Sequence, residues 1–120
     1  SKSGEFSPEV LSLFENLKKD FSLLIISNNS NLEYIAKAAK QIDFPIIAPA
    51  KKPFTKLSKE FLIENNISPK EMAMVGDRPL TDILFGKILG CKTILVDSIS
   101  WQEEKPVVRI ARKIERFVNI

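Results

Sequence analysis

Apolar positions in this chain alternate between short continuous runs and stripes at helical spacing, the pattern of strands separated by amphipathic helices. Ser7, Pro8 and Glu9 combine a hydroxyl cap, a proline suited to a first helical turn and an early carboxylate. Val10, Leu11, Phe14 and Leu17 then share one face, which predicts a helix ending near Lys18, Lys19 and Asp20. Phe21 to Ile26 is almost wholly apolar, as expected of a strand covered on both faces. It runs into the turn-forming residues Ser27, Asn28, Asn29 and Ser30.

Ser30 and Glu33 have capping-box spacing, so a second helix is predicted from about Asn31 to Lys40 with Leu32, Ile35, Ala36 and Ala39 inward. Phe44 to Ala48 supplies a shorter strand, and Pro45 places its start at a sheet margin. Beyond Lys51, Lys52, Pro53 and Phe54, the spacing of Leu57, Phe61 and Leu62 predicts a helix finished by Asn65 and Asn66, before a turn at Ser68 and Pro69. Met72 to Val75 reads as a strand, Thr81 to Leu89 as a helix stopped by Gly90, and Thr93 to Val96 as a last strand. An amphipathic helix then starts near Pro106, with Val107, Ile110, Ala111, Ile114, Phe117 and Val118 on one side. Strands alternating with helices of this length imply an α/β fold, a mostly parallel sheet in three layers with right-handed crossovers.

Composition narrows the chemistry. The 120 residues, 44% of them apolar, suffice for one domain, and the first six read as a flexible end or an expression remnant, with the natural start elsewhere. Cys91 is the single cysteine and histidine is absent, which excludes an internal disulfide, a Cys/His zinc cluster and any triad built on histidine. An intracellular, cytoplasmic setting is the resulting expectation. The excess of 18 basic over 15 acidic residues is too small to imply nucleic-acid binding, and no aromatic and basic residues interleave to suggest it. No stretch approaches the roughly 20 apolar residues that cross a bilayer, and no signal peptide is evident.

The chemistry-bearing residues fall at predicted strand ends. Asp77 and Asp82, in Gly76-Asp77-Arg78-Pro79-Leu80-Thr81-Asp82, offer two hard oxygen ligands suited to Mg²⁺; the plainer reading is a helix cap by Asp77 or Thr81, with Asp82 favouring the helix dipole. Ser27, Asn28 and Asn29 can present a hydroxyl, amides and backbone N–H groups to an anion, or simply form a turn. Lys51 and Lys52 precede a proline that restricts the backbone, so one lysine can be aimed at phosphate; the alternative is a solvated basic turn. Arg78 suits a bidentate contact to phosphate or to a neighbouring acid. Cys91 reads as a small buried residue, and Trp101 and Phe117 as packing residues. The basic face formed by Arg109, Arg112, Lys113 and Arg116 fits a solvated helix surface or, as the lesser alternative, peripheral contact with an anionic membrane.

The order of hydroxyl loop, lysine loop and paired acids resembles the haloacid dehalogenase (HAD) superfamily, and within it the small phosphatases related to phosphatidylglycerolphosphate phosphatases. The resemblance rests on Ser27-Asn28-Asn29, Lys52-Pro53 and Gly76 to Asp82, and extends from about Ser7 to Ile120. It implies phosphate binding by Ser27, substrate orientation by Asn28, and neutralisation of the transferring phosphoryl group by Lys52, with Lys51 as fallback. It further implies Mg²⁺ at Asp77, with Asp82 binding or orienting the metal shell, Thr81 in the same pattern, and close helix packing at Gly86. The implied substrate is a phosphate-containing small molecule or phospholipid.

One departure stands out. HAD phosphatases carry Asp-x-Asp-x-Thr after their first, central strand, and no Asp-x-Asp occurs in this sequence. With a family strand order of 5-4-1-2-3, the absent strand falls between Phe21–Ile26 and Met72–Val75. Residues 7–120 are therefore expected to form an incomplete HAD-like phosphatase domain, inactive alone, with a partner segment able to supply the strand. The alternative is a non-catalytic anion-binding or assembly module on the same fold.

Overall fold

A computed structural model describes residues 5–95. The predicted helix from Pro106, Trp101, Phe117 and the basic face of Arg109 to Arg116 lie outside the described residues, as do Val96 and residues 1–4.

Helix α1 spans Pro8–Lys18, and its Ser7 side chain accepts the Val10 N–H at 3.2 Å as the cap signal requires. Val10 and Leu13 are its buried residues, while Leu11, Phe14 and Leu17 are half-buried, so the packed stripe includes a leucine the predicted face left out. Phe14 meets Phe6 and Phe44 edge-on, each at 5.4 Å between ring centres, fixing the helix against the start of the second strand segment. Lys18 also reaches Asp43 at 2.7 Å; this hydrogen bond raises the ammonium pKa and lowers that of the carboxyl, with little stability to be gained at so exposed a site. Ser7→Ala should lower stability by about 1 kcal/mol, read as a shift in urea midpoint with unchanged slope.

Strand β1 is Ile25–Ile26 and β2 is Ile46–Ile47; they pair in parallel with Ile25 opposite Ile46 and Ile26 opposite Ile47. The apolar run from Phe21 thus yields two ladder residues rather than six. Phe21 is exposed and Leu23 to Ile26 are half-buried, because the described residues pair this segment on one side only. Between these strands lies α2, Leu32–Lys40, capped by Asn31, whose Oδ1 accepts the Tyr34 N–H at 3.1 Å. That overturns the Ser30–Glu33 capping box: an asparagine one residue later makes the same contact. The helix is also turned from its expected face. Ala38 is buried, Tyr34 and Ile35 are half-buried, and Leu32, Ala36 and Ala39 are exposed, since a two-stranded sheet covers only a narrow stripe.

Helix α3, Lys56–Glu64, ends at Asn65 as predicted, and a 3₁₀ turn over Pro69–Glu71 leads into β3, Ala73–Gly76. A π-helical turn at Pro79–Ile83 passes into α4, Leu84–Leu89, which stops at Gly90 with φ 96°. The predicted single helix from Thr81 therefore has a widened first turn, with the Ile83 N–H donating to the Arg78 carbonyl at 3.2 Å. Strand β4, Lys92–Leu95, lies parallel to β3, pairing Ala73 with Lys92 through Gly76 with Leu95.

The expected mostly parallel sheet is thus two parallel pairs, β1–β2 and β3–β4, with no ladder joining β1 to β3 among the described residues. They share a core nonetheless. Leu62, Met74, Phe85 and Leu89 form its buried centre, and Leu24 and Ile26 of the first strand segment pack against it with Phe61, Met72 and Cys91. A Cβ on Gly86 would fall 2.7 Å from the Thr93 methyl and 3.0 Å from Met74 Cβ, so α4 lies directly on β3 and β4. Cys91 is part of that packing: its thiol donates to the Gly86 carbonyl at 3.3 Å, and burial pushes its pKa up, the reverse of what a nucleophile needs. No helix among the described residues is long and apolar enough to cross a membrane.

Candidate functional site

Three loops leave the carboxyl ends of β1, β2 and β3, the position where open α/β sheets place ligands. The first is held by short local bonds. Ser27 Oγ accepts the Asn29 N–H at 3.1 Å, Asn29 Oδ1 accepts the Asn31 N–H at 2.8 Å, and Asn31 then caps α2. The Ser27 backbone carries on the sheet register, donating to Ile47 O at 2.9 Å and accepting from Ala50 N at 2.7 Å.

Asn28 ties this loop to the second. Its Oδ1 accepts the Lys52 N–H at 2.7 Å and its Nδ2 donates to the Lys52 carbonyl at 3.0 Å. A side-chain amide carries, side by side, the acceptor and the donor that this pairing uses. Lys51 beside it is exposed with φ 59°, whereas Lys52 turns inward. Of the two lysines, the backbone turns Lys52, the one the resemblance favours, toward the third loop.

Lys52 Nζ donates to Asp82 Oδ1 at 2.7 Å, and the two side chains are only 10% and 9% exposed. Asp82 Oδ2 accepts the Asp77 N–H at 3.3 Å, closing the third loop on itself. Gly76 makes room for this: a Cβ there would lie 2.3 Å from Asp82 Cβ and 2.6 Å from Oδ2. Asp77 is half-buried beside this pair and Arg78 is exposed, its carbonyl accepting the N–H groups of Asp82 and Ile83. The hydroxyl of Thr81 is buried without a hydrogen-bond partner among the described residues.

Asn28, Lys52, Asp77 and Asp82 are therefore linked through side chain or backbone, Ser27 and Asn29 frame the loop that carries Asn28, and Arg78 stands at the rim. The cap reading of Thr81 finds no support, since its hydroxyl has no hydrogen-bond partner among the described residues, and Arg78, the residue just before the turn that starts at Pro79, makes no side-chain cap. What the sequence did not disclose is the Asn28 strap and the Asp82 contact over Gly76, both set by partners 24 and 5 residues away. A glycine just before an Asp-rich loop is the one local hint of the latter. Electrostatically, one Lys–Asp pair and a further carboxylate make a polar, partly enclosed end to an otherwise apolar layer.

No group of three or more acidic, cysteine or histidine side chains able to hold a metal is assembled among the described residues. Asp82 is occupied by Lys52 and the Asp77 N–H, and Asp77 is the less buried of the two acids. This donor set suits an ion that keeps most of its shell as water and phosphate oxygen, the habit of Mg²⁺.

A profile for HAD-hydrolase-like proteins matches residues 49–106, spanning the Lys52 loop, the Asp77–Asp82 loop and the elements between them. The chain is 26% identical over 112 residues, 93% of its length, to "Probable phosphatase YqeG" of Bacillus subtilis (strain 168). Over a 45-residue stretch, 38% of the chain, it is 47% identical to "Phosphatidylglycerophosphate phosphatase 1, chloroplastic/mitochondrial" of Arabidopsis thaliana. It spans 64% of the length of the first relative and 13% of the second. Parallel strands alternate with helices in an α/β fold whose residues 49–106 are similar to HAD-hydrolase-like proteins, and the chain as a whole is distantly similar to phosphatases.

Proposed function

We propose that this chain provides the phosphate- and metal-facing loops of a Mg²⁺-dependent phosphomonoester hydrolase of the HAD type. A phospholipid phosphate such as phosphatidylglycerolphosphate is the leading substrate class. The observation that carries the reading is the buried Lys52–Asp82 pair joining two strand-end loops beside Asp77. An ammonium has three N–H donors, so the one bond to Asp82 fixes Lys52 in place and leaves donors for the oxygens of a substrate phosphoryl group.

In this reading Ser27 and Lys52 hold non-bridging oxygens of the phosphate, and Asn28 keeps the Lys52 backbone in place. Asn29 and Arg78 meet the substrate at the rim, and Asp77 binds the ion directly with Asp82 orienting what surrounds it. Mg²⁺ would draw electron density from the transferring oxygens. The nucleophile is an aspartate outside these 120 residues: its carboxylate oxygen bonds to phosphorus as the ester P–O bond breaks, a second aspartate gives its proton to the leaving oxygen, and water then cleaves the aspartyl-phosphate. A strand pairing with β1 on one side and β3 on the other, from elsewhere in the protein or from a partner, would deliver both aspartates. The absence of any Asp-x-Asp in the sequence favours a second reading, an anion-binding or assembly module.

Calorimetry separates them from a chain with no site. Inorganic phosphate should bind the folded chain more tightly when Mg²⁺ is present, and Asp77→Asn should remove that gain, a loss of about tenfold. Phosphate release from p-nitrophenyl phosphate should stay at background. Absence of phosphate binding would defeat the reading, and turnover abolished by Asp77→Asn would show that the nucleophile lies within the chain after all.

A further inference from the structure

Large apolar side chains stand in solvent around the same end of the sheets. Leu80, Leu32 and Phe54 are 80%, 77% and 76% exposed. Each belongs to a different strand-end loop: Leu32 opens α2 just after the loop from β1, Phe54 follows Lys52 and Pro53 after β2, and Leu80 lies between Asp77 and Asp82 after β3. The Asn28–Lys52 and Lys52–Asp82 contacts tie these loops together, so the three apolar tips belong to segments joined at the candidate site.

Scattered exposed leucines are ordinary on any protein. The distribution here is not scattered. Among the described residues four large apolar side chains are at least 75% exposed, and only Ile63, in the last turn of α3, lies away from the loops.

The same segments carry cations. Lys51, Lys56 and Arg78 are exposed, and a groove of about 500 Å³ sets Phe54 and Leu57 beside Lys51 and Lys56, with Glu60 as its one acidic residue. Glu33 next to Leu32 is the other nearby exposed acid outside the site. A protein partner of ordinary size favours a contiguous apolar centre. Separate apolar tips on segments that also expose cations match the boundary of a bilayer, where side chains enter the acyl region singly and ammonium and guanidinium groups meet lipid phosphates.

We infer that these three loops dock the chain on an anionic phospholipid bilayer with the Lys52–Asp77 site facing the headgroups. The inference rests on the proposed phosphate site only in making a lipid phosphate monoester the substrate class; the docking itself follows from exposure and charge. A membrane-seated site needs no deep pocket for its substrate's apolar part, because the acyl chains stay in the bilayer.

Flotation of the 120-residue chain with vesicles tests this. Vesicles of phosphatidylcholine mixed with phosphatidylglycerol should retain the chain and release it as salt is raised, while phosphatidylcholine alone should not retain it. Phe54→Ser and Leu80→Ser should each weaken retention about tenfold, and together about a hundredfold, whereas Ile63→Ser, equally exposed elsewhere, should leave it unchanged. Phe54→Ser and Leu80→Ser should keep Mg²⁺-dependent phosphate binding; Asp77→Asn should lose it and still float, so failure of the site and failure of the docking surface are read separately. The inference is overturned if no vesicle retains the chain, if phosphatidylcholine alone retains it equally, if the double variant floats like the original, or if Ile63→Ser weakens retention as much as Phe54→Ser. Lipid-free dimerisation abolished by Phe54→Ser would likewise overturn it, assigning the tips to a second copy of the chain.

Discussion

Lys52→Met is expected to destabilise the folded chain by about 3 kcal/mol, far more than the loss of one loop contact. Asp82 is 6% exposed and has given up most of its hydration. Its compensation is the ammonium group at 2.7 Å together with the Asp77 N–H at 3.3 Å. Methionine fills similar volume but leaves the carboxylate buried with a single neutral donor, the situation in which breaking a pair costs more than the pair contributes. Asp82→Asn in the Lys52→Met background should recover much of the loss, since the amide has no charge to desolvate and its oxygen can still accept the Asp77 N–H. Urea unfolding of the two single variants and the double variant gives the coupling directly. Additive losses would mean that the lysine and aspartate do not depend on each other, and would remove the main support for the proposed site.

Gly76→Ala is expected to be nearly as damaging, at about 2–3 kcal/mol, and to affect the site as well as the fold. The new methyl would lie 2.3 Å from Asp82 Cβ, 2.7 Å from Cγ and 2.6 Å from Oδ2. A carboxylate tip can swing aside, but Cβ is fixed to the backbone, so either the end of β3 or the π-helical turn must move. Movement of either separates Asp82 from the Asp77 N–H and from Lys52. Gly86→Ala is the informative comparison, since its methyl would meet Thr93 and Met74 and none of the site residues. Under conditions where both variants remain folded, phosphate binding should fall in Gly76→Ala and persist in Gly86→Ala. Retention of full binding by Gly76→Ala would mean that Asp82 does not need its place above this glycine.

Features set by adjacent residues were legible in the sequence. The Ser7 cap with Pro8, the end of α3 at Asn65 and the stop at Gly90 each depend on a few neighbours or on one glycine, and the structure bears them out, as it does the close packing at Gly86 that the family resemblance implied. Of the site, the grouping of Lys52 with the Gly76–Asp82 loop was visible because both follow apolar runs. What failed depended on distant partners. The length of β1 is decided by which segments pair with it, so the apolar run Phe21–Ile26 overstates the strand. The rotation of α2 is decided by the width of the sheet beneath it, which periodicity does not encode. The cap moved from Ser30 to Asn31 because Ser and Asn serve equally well, and the Asn29 side chain had already organised the preceding turn. Asn28 read as a turn residue or a contact for substrate; the partner its amide has is the Lys52 peptide, 24 positions along the chain.

The paired bonds between the Asn28 amide and the Lys52 peptide reproduce what one strand residue offers another, a donor and an acceptor side by side. In effect the amide is an extra rung, carrying the β1–β2 ladder one step beyond its last isoleucines into the loop. The lysine's root is thereby clamped to the most rigid framework nearby, so its thermal wandering is confined to the side chain. Aspartate at this place, including that formed by spontaneous loss of the amide nitrogen, would set a carboxylate against a carbonyl and turn the rung into a repulsion.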